Sequence, residues 1–66
     1  MNKIRISEYI LSYRKEKGLN QTEFGELLGV TTQAVSKWEQ ERSYPDVTLL
    51  PRIAKLFSVT IDRLFD

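Results

Sequence analysis

The chain has no cysteine and no histidine. The first absence rules out a disulfide staple. Together they remove the common zinc-ligand sets and the usual residues of nucleophilic and metal-assisted catalysis. A chain without cysteine suits a reducing compartment. No apolar run comes near the roughly 20 residues that a membrane-spanning helix needs, and the opening MNKIRISEYI lacks the apolar stretch and small-residue cleavage site of a signal peptide. Charge excess is missing too. Ten Lys and Arg face nine Asp and Glu, a net of +1, so any argument for nucleic acid must come from where the charges lie. There is no internal repeat, linker or low-complexity segment, and no motif sets paired carboxylates in a pocket. The expectation is a soluble cytoplasmic protein that is not an enzyme, with no cofactor, no metal and no membrane partner.

Sixty-six residues make one domain, spanning 1–66, that buries only roughly 60% of the surface its unfolded form exposes. Its core must be hydrophobic packing alone. Apolar residues recur at helical spacing, and no stretch alternates with the period of two that marks a half-buried strand. The reading is all-α, with five short helices.

The first helix covers about residues 6 to 17, with Ile6, Tyr9, Ile10 and Tyr13 as its buried stripe and Gly18 ending it in the left-handed conformation. The second begins at Asn20, which forms a capping-box variant with Glu23. Phe24, Leu27 and Leu28 supply its apolar face, and Gly29 stops it. Thr31 is the N-cap of the third. The fourth takes Thr48 as N-cap, with Pro51 in its first turn, and buries Leu49, Leu50, Ile53, Ala54 and Phe57. The fifth starts after Thr60, with Val59 and Leu64 as a hydrophobic staple.

The third helix carries the functional signal. At about 100° per residue, Thr32, Ser36, Gln40, Gln33 and Lys37 fall within an arc of roughly 140°. Ala34, Trp38, Thr31, Val35 and Glu39 take the opposite arc. From Gly29 to Trp38 there is a single positive charge and no negative one, in a chain that is 29% charged. Solvated faces elsewhere carry Glu and Lys, as in RKEK and TEFGE, so an ordinary soluble surface explains this one poorly. Uncharged polar groups suit base edges. Gln pairs in bidentate fashion with adenine, Thr offers a methyl to thymine or a hydroxyl to several bases, and Lys reaches a guanine edge or a phosphate. Gly25 allows one helix to cross another closely, and Gly29 sits at the tight turn that leaves the polar face projecting.

This stretch resembles the helix-turn-helix of Cro and cI-type (Xre-like) regulators, whose DNA-binding domain is the five-helix, lambda-repressor-like fold. The resemblance covers nearly the whole chain through RKEKGLNQTEFGELLGV, SKWEQERSYPD and IAKLFSVTIDRLF, with the motif itself at 21–40. It implies a phosphate contact for Gln21 at the helix N-terminus. It places Thr31, Thr32, Gln33, Ser36 and Lys37 at the front of the recognition helix, with Thr32, Gln33 and Lys37 as base readers. Gln40 and Arg42 match backbone-contacting positions, and Arg14 with Glu39 matches a structural ion pair. One residue departs from the pattern. Glu41 stands where the family usually has Gly, so either the turn differs locally or a carboxylate near phosphate weakens backbone binding.

Plainer roles stand beside these. Trp38, Tyr9 and Tyr13 read as core, and Thr31 is first a cap. Lys3 and Arg5 are a minor-groove arm or simply solvated. Arg52, Lys55 and Arg63 form a solvated face. The function implied is a sequence-specific regulator, a repressor in the first instance, that binds an inverted-repeat operator in double-stranded DNA. It acts as a homodimer through helices four and five, with Ile61, Leu64 and Phe65 as the contact residues. A protein-interaction module such as an antitoxin keeps the fold without the DNA. Family members often continue into an oligomerisation, sensing or enzymatic region, so the N-terminal module of a longer regulator is a further reading.

Overall fold

The computed structural model describes residues 6–65. Its regular elements are all helical: α1 (Ile6–Lys17), α2 (Gln21–Leu28), α3 (Thr32–Glu39) and α4 (Leu50–Phe57), with single 3-10 turns at Val47–Leu49 and Ile61–Leu64. The helix boundaries follow from local chemistry. Gly18 ends α1 at φ 68°, where Leu19 N–H closes onto the Arg14 carbonyl. Asn20 Oδ1 accepts from Glu23 N–H at 2.7 Å, and Glu23 Oε1 accepts from Asn20 N–H at 2.9 Å. That reciprocal box satisfies two donors otherwise left open at the start of α2, and a cap of this kind contributes about 1 kcal/mol. Thr31 Oγ1 accepts from Ala34 N–H and starts α3.

Four expectations need correction, the last of them at Leu64 in the core. Thr48 does not cap α4. Asp46, two residues earlier, is the stronger acceptor: its carboxylate takes Thr48 N–H and its carbonyl takes Leu49 N–H, which winds Val47–Leu49 into a 3-10 turn. Helix α4 then starts at Leu50 with no side-chain cap, and Pro51 sits in its first turn. The fifth helix is only the 3-10 turn Ile61–Leu64, closed by Arg63 N–H to Thr60 O and Phe65 N–H to Asp62 O. Four residues are too few to offset the cost of nucleating an α-helix. Leu27, assigned to the apolar face of α2, is 51% exposed.

The core gathers Ile6 and Ile10 from α1, Phe24 and Leu28 from α2, Val35 and Trp38 from α3, and Leu50, Ile53 and Ala54 from α4. Leu64 joins them with no exposed surface. It therefore cannot serve as a dimer contact; of the three residues proposed for that role, Ile61 is 40% exposed and Phe65 half-buried. Phe57 stacks on Tyr9 and Phe24, with ring centroids 5.7 and 6.1 Å apart, which holds α4 against α1 and α2. Helix α3 packs against both α1 and α2.

Candidate nucleic-acid interface

The connection between α2 and α3 is tight because of two glycines. Gly29 caps α2 at φ 73°, a conformation that costs other residues about 1–2 kcal/mol. A Cβ on Gly25 would lie 2.7 Å from the Val30 carbonyl oxygen, so the close neighbour is the backbone of the turn. The Gly25 carbonyl in turn accepts Val30 N–H at 2.9 Å. A side chain there would push α3 off α2.

Val35 and Trp38 anchor α3 inward, fully buried and 6% exposed respectively. Thr31, Gln33, Lys37, Gln40 and Arg42 are exposed, and Thr32 and Ser36 half-buried. The side chains of Gln33, Lys37 and Arg42 form no hydrogen bond or ion pair with another described residue. Several of the other groups are occupied. The Thr31 hydroxyl is the cap. Gln40 Nε2 donates to Ser36 Oγ at 3.0 Å, and the Thr32 and Thr22 hydroxyls lie 2.8 Å apart.

Arg14 and Glu39 are brought together. Arg14 Nε donates to Glu39 Oε2 at 2.7 Å and Nη2 to Oε1 at 3.0 Å, a two-pronged pair. Arg14 Nη1 also donates to the Leu19 carbonyl. Gln21 Nε2 donates to Glu39 Oε1 at 2.9 Å, so the residue matched to a phosphate contact has one amide proton on Glu39 and a second one left. With its side chain 7% exposed and directly paired, Glu39 puts little negative potential on the polar face of α3.

Glu41 takes the left-handed conformation at φ 60°, so the turn keeps the geometry a glycine would give. Glu41 N–H reaches the Trp38 carbonyl and Arg42 N–H reaches that of Lys37, closing the end of α3. The carboxylate is turned to α1, where Oε2 accepts from Ser7 Oγ at 3.3 Å. Ser7 is 5% exposed, the only buried polar residue among those described.

Sequence reasoning missed Thr22, Ser7 and Arg52. Ser7 had a signal, since it lies three residues before Ile10 on the buried stripe of α1. Arg52, assigned to a solvated face, donates from Nη1 to the Leu28 carbonyl at 3.1 Å and so holds the end of α2. Thr22 has no signal in the sequence alone, because its meeting with Thr32 depends on the angle between α2 and α3. Lys3 and Arg5 lie outside the described residues. No helix among those described is long and apolar enough to cross a membrane.

Known proteins resemble this chain in sequence and fold. A family model described as helix-turn-helix matches residues 10–64. The chain is 41% identical over 61 residues to the HTH-type transcriptional activator BcrR of Enterococcus faecalis. It is 31% identical over 61 residues to the HTH-type transcriptional regulator PuuR of Escherichia coli. These alignments cover 92% of this chain but only 30% and 31% of the relatives, so the chain spans about a third of their length. A crystal structure of a transcriptional regulator from Listeria innocua superposes with a TM-score of 0.76 at 34% identity, covering 89% of this chain and 55% of that one. With the family match running from α1 through the Ile61–Leu64 turn, the chain belongs to the helix-turn-helix family of the Cro/cI type.

Proposed function

We propose that the chain is the sequence-specific DNA-binding module of a transcriptional regulator, and that α3 enters the major groove. The observation that carries this reading is the face of α3 itself. Its polar residues project uncharged but for Lys37, Val35 and Trp38 hold it from behind, and the acid of its last turn is neutralised by Arg14. Gln33 and Lys37 are the readers with unoccupied side chains, and Thr32 reads with its hydroxyl next to Thr22. Gln21 gives its remaining amide proton to a phosphate, and Arg42 and Gln40 follow the backbone. The relatives' names support a regulator, and BcrR is named an activator. Repression by occupying the promoter is the action proposed for this chain, with the sign set by where the operator lies.

The longest dimension of the domain is 30 Å, short of the roughly 34 Å between successive major grooves on one face of DNA. One copy presents one recognition helix, and the arrangement proposed for reading two successive grooves is a homodimer on an inverted repeat. Ile61 and Phe65 are the candidate contact residues. The test is selection of bound duplexes from a random library at moderate salt, followed by titration of the winner against salt. An enriched inverted repeat, with affinity falling linearly in log–log against salt, supports the reading. Recovery of DNA without an enriched sequence would refute specific recognition. Failure to recover any DNA would favour a protein-interaction module.

A further inference from the structure

Thr22 lies on the helix before the one proposed to read DNA, yet its hydroxyl oxygen is 2.8 Å from that of Thr32. Thr22 is the second residue of α2 and Thr32 the first of α3, so the bond joins the opening turns of the two helices at the exposed end of the motif. The neighbouring groups are engaged elsewhere. The Gln21 amide donates to Glu39, and the Thr31 hydroxyl accepts from Ala34 N–H. Thr22 is thus the side-chain partner that holds Thr32 among the described residues.

We infer that Thr22 is a specificity-determining positioning residue that acts through Thr32. The inference rests on the DNA-reading assignment of α3. A solitary threonine hydroxyl carries one proton and two acceptor lone pairs and rotates to suit its partner. It therefore accepts from a base amine or donates to a base oxygen with little discrimination. Pairing changes this. One proton lies between the two oxygens. If Thr32 donates it, Thr32 keeps only lone pairs and selects the amino groups of adenine or cytosine. If Thr22 donates it, Thr32 keeps its proton and one lone pair, and its free proton points at the acceptors of guanine, thymine or adenine N7. Because a β-branched side chain is stiff at χ1, fixing the hydroxyl also fixes where the methyl points. Where Thr32 donates, it reads as an acceptor alone; in either direction the bond fixes the point from which its oxygen and methyl meet the base, and one operator position is read more sharply than by a free rotor.

The test compares duplexes selected by the wild type, Thr32→Val, Thr22→Val, Thr22→Ser and the double variant Thr22→Val with Thr32→Val, with thermal unfolding of each. Thr32→Val identifies the operator position that this residue reads. Thr22→Val keeps the shape and removes the hydroxyl. It is expected to flatten the base preference at that one position by roughly threefold to tenfold, the worth of one hydrogen bond. Other positions and the melting temperature should stay as in the wild type. Thr22→Ser should retain the preference, and Thr22→Val should change nothing further at that position in the Thr32→Val background. An unchanged preference in Thr22→Val overturns the inference, as does a uniform loss of affinity across all sequences, which would mark a structural or phosphate-binding role. If the wild type itself enriches no sequence, the DNA-reading assignment fails first and takes this inference with it.

Discussion

The Glu39 carboxylate takes the Arg14 guanidinium at both oxygens, at 2.7 and 3.0 Å, and shares one of those oxygens with Gln21. A single acidic side chain thereby ties α3 to α1 and to the start of α2. The pair orients the recognition helix more than it adds net stability, because desolvation offsets much of the attraction. Breaking it on one side is another matter.

Arg14→Ala leaves a carboxylate that is 7% exposed without its counter-charge. Removing one partner of such a pair costs about 3 kcal/mol. At about 4 °C or more per kcal/mol for a domain of this size, melting should fall by at least roughly 12 °C. Arg14→Lys should rescue little, since an ammonium cannot make the two-pronged contact. Thermal unfolding of both variants is the measurement, and wild-type stability for Arg14→Ala would remove Glu39 from its organising role.

Gln33→Ala tests the opposite kind of residue. Its side chain is exposed and bonded to no other described residue, so folding should be unaffected, with stability within about 0.5 kcal/mol of wild type. Base preference should relax at one operator position, by about 1–3 kcal/mol of discrimination. Selection from a random library by the variant, beside its melting curve, separates the two quantities. An unchanged motif would mean that Gln33 does not read a base.

These two residues also mark what the sequence could and could not say. The buried stripe, the N-caps of α2 and α3 and the outward face of α3 follow from residue type and helical spacing, so local rules place Asn20, Thr31, Val35 and Trp38. Thr48 fails as a cap because Asp46 competes for the same turn, and local rules do not rank two acceptors two residues apart. Leu64 carries two readings, a packed hydrophobic-staple residue and a dimer contact, and its burial in the 3-10 turn at Ile61–Leu64 keeps the first and removes the second. The Thr22–Thr32, Arg52–Leu28 and Ser7–Glu41 contacts connect separate elements. They depend on how helices cross, which no single-segment pattern encodes.

Arg52→Ala removes the guanidinium that donates to the Leu28 carbonyl at 3.1 Å. That carbonyl belongs to the last turn of α2, where carbonyls lack partners within the helix. The expected loss is about 0.5–1.5 kcal/mol of stability, with operator preference unchanged because the guanidinium is engaged by the Leu28 carbonyl and Arg52 lies on α4, outside the polar face of α3. Urea unfolding combined with library selection checks both halves. Loss of base preference at unchanged stability would reassign Arg52 to the interface.

Glu41→Gly isolates the one position where the chain departs from the family pattern. Glycine would relieve the left-handed strain of about 1–2 kcal/mol at φ 60°. The same change loses the bond from Ser7 Oγ, worth about 0.5–1.5 kcal/mol, and adds roughly 0.5–1 kcal/mol of backbone entropy to the unfolded chain. The terms nearly cancel, so stability should stay within about 1 kcal/mol of wild type. Binding should respond differently, since the substitution removes a negative charge beside Arg42 at the end of the recognition helix. We expect affinity for the selected duplex to rise, most clearly at low salt, where screening is weakest. Ser7→Ala supplies the control, because it frees the carboxylate without removing it and should not tighten binding. Equal affinity of Glu41→Gly and wild type at low salt would show that the carboxylate, held toward α1 by Ser7, is already too far from the phosphates to repel them.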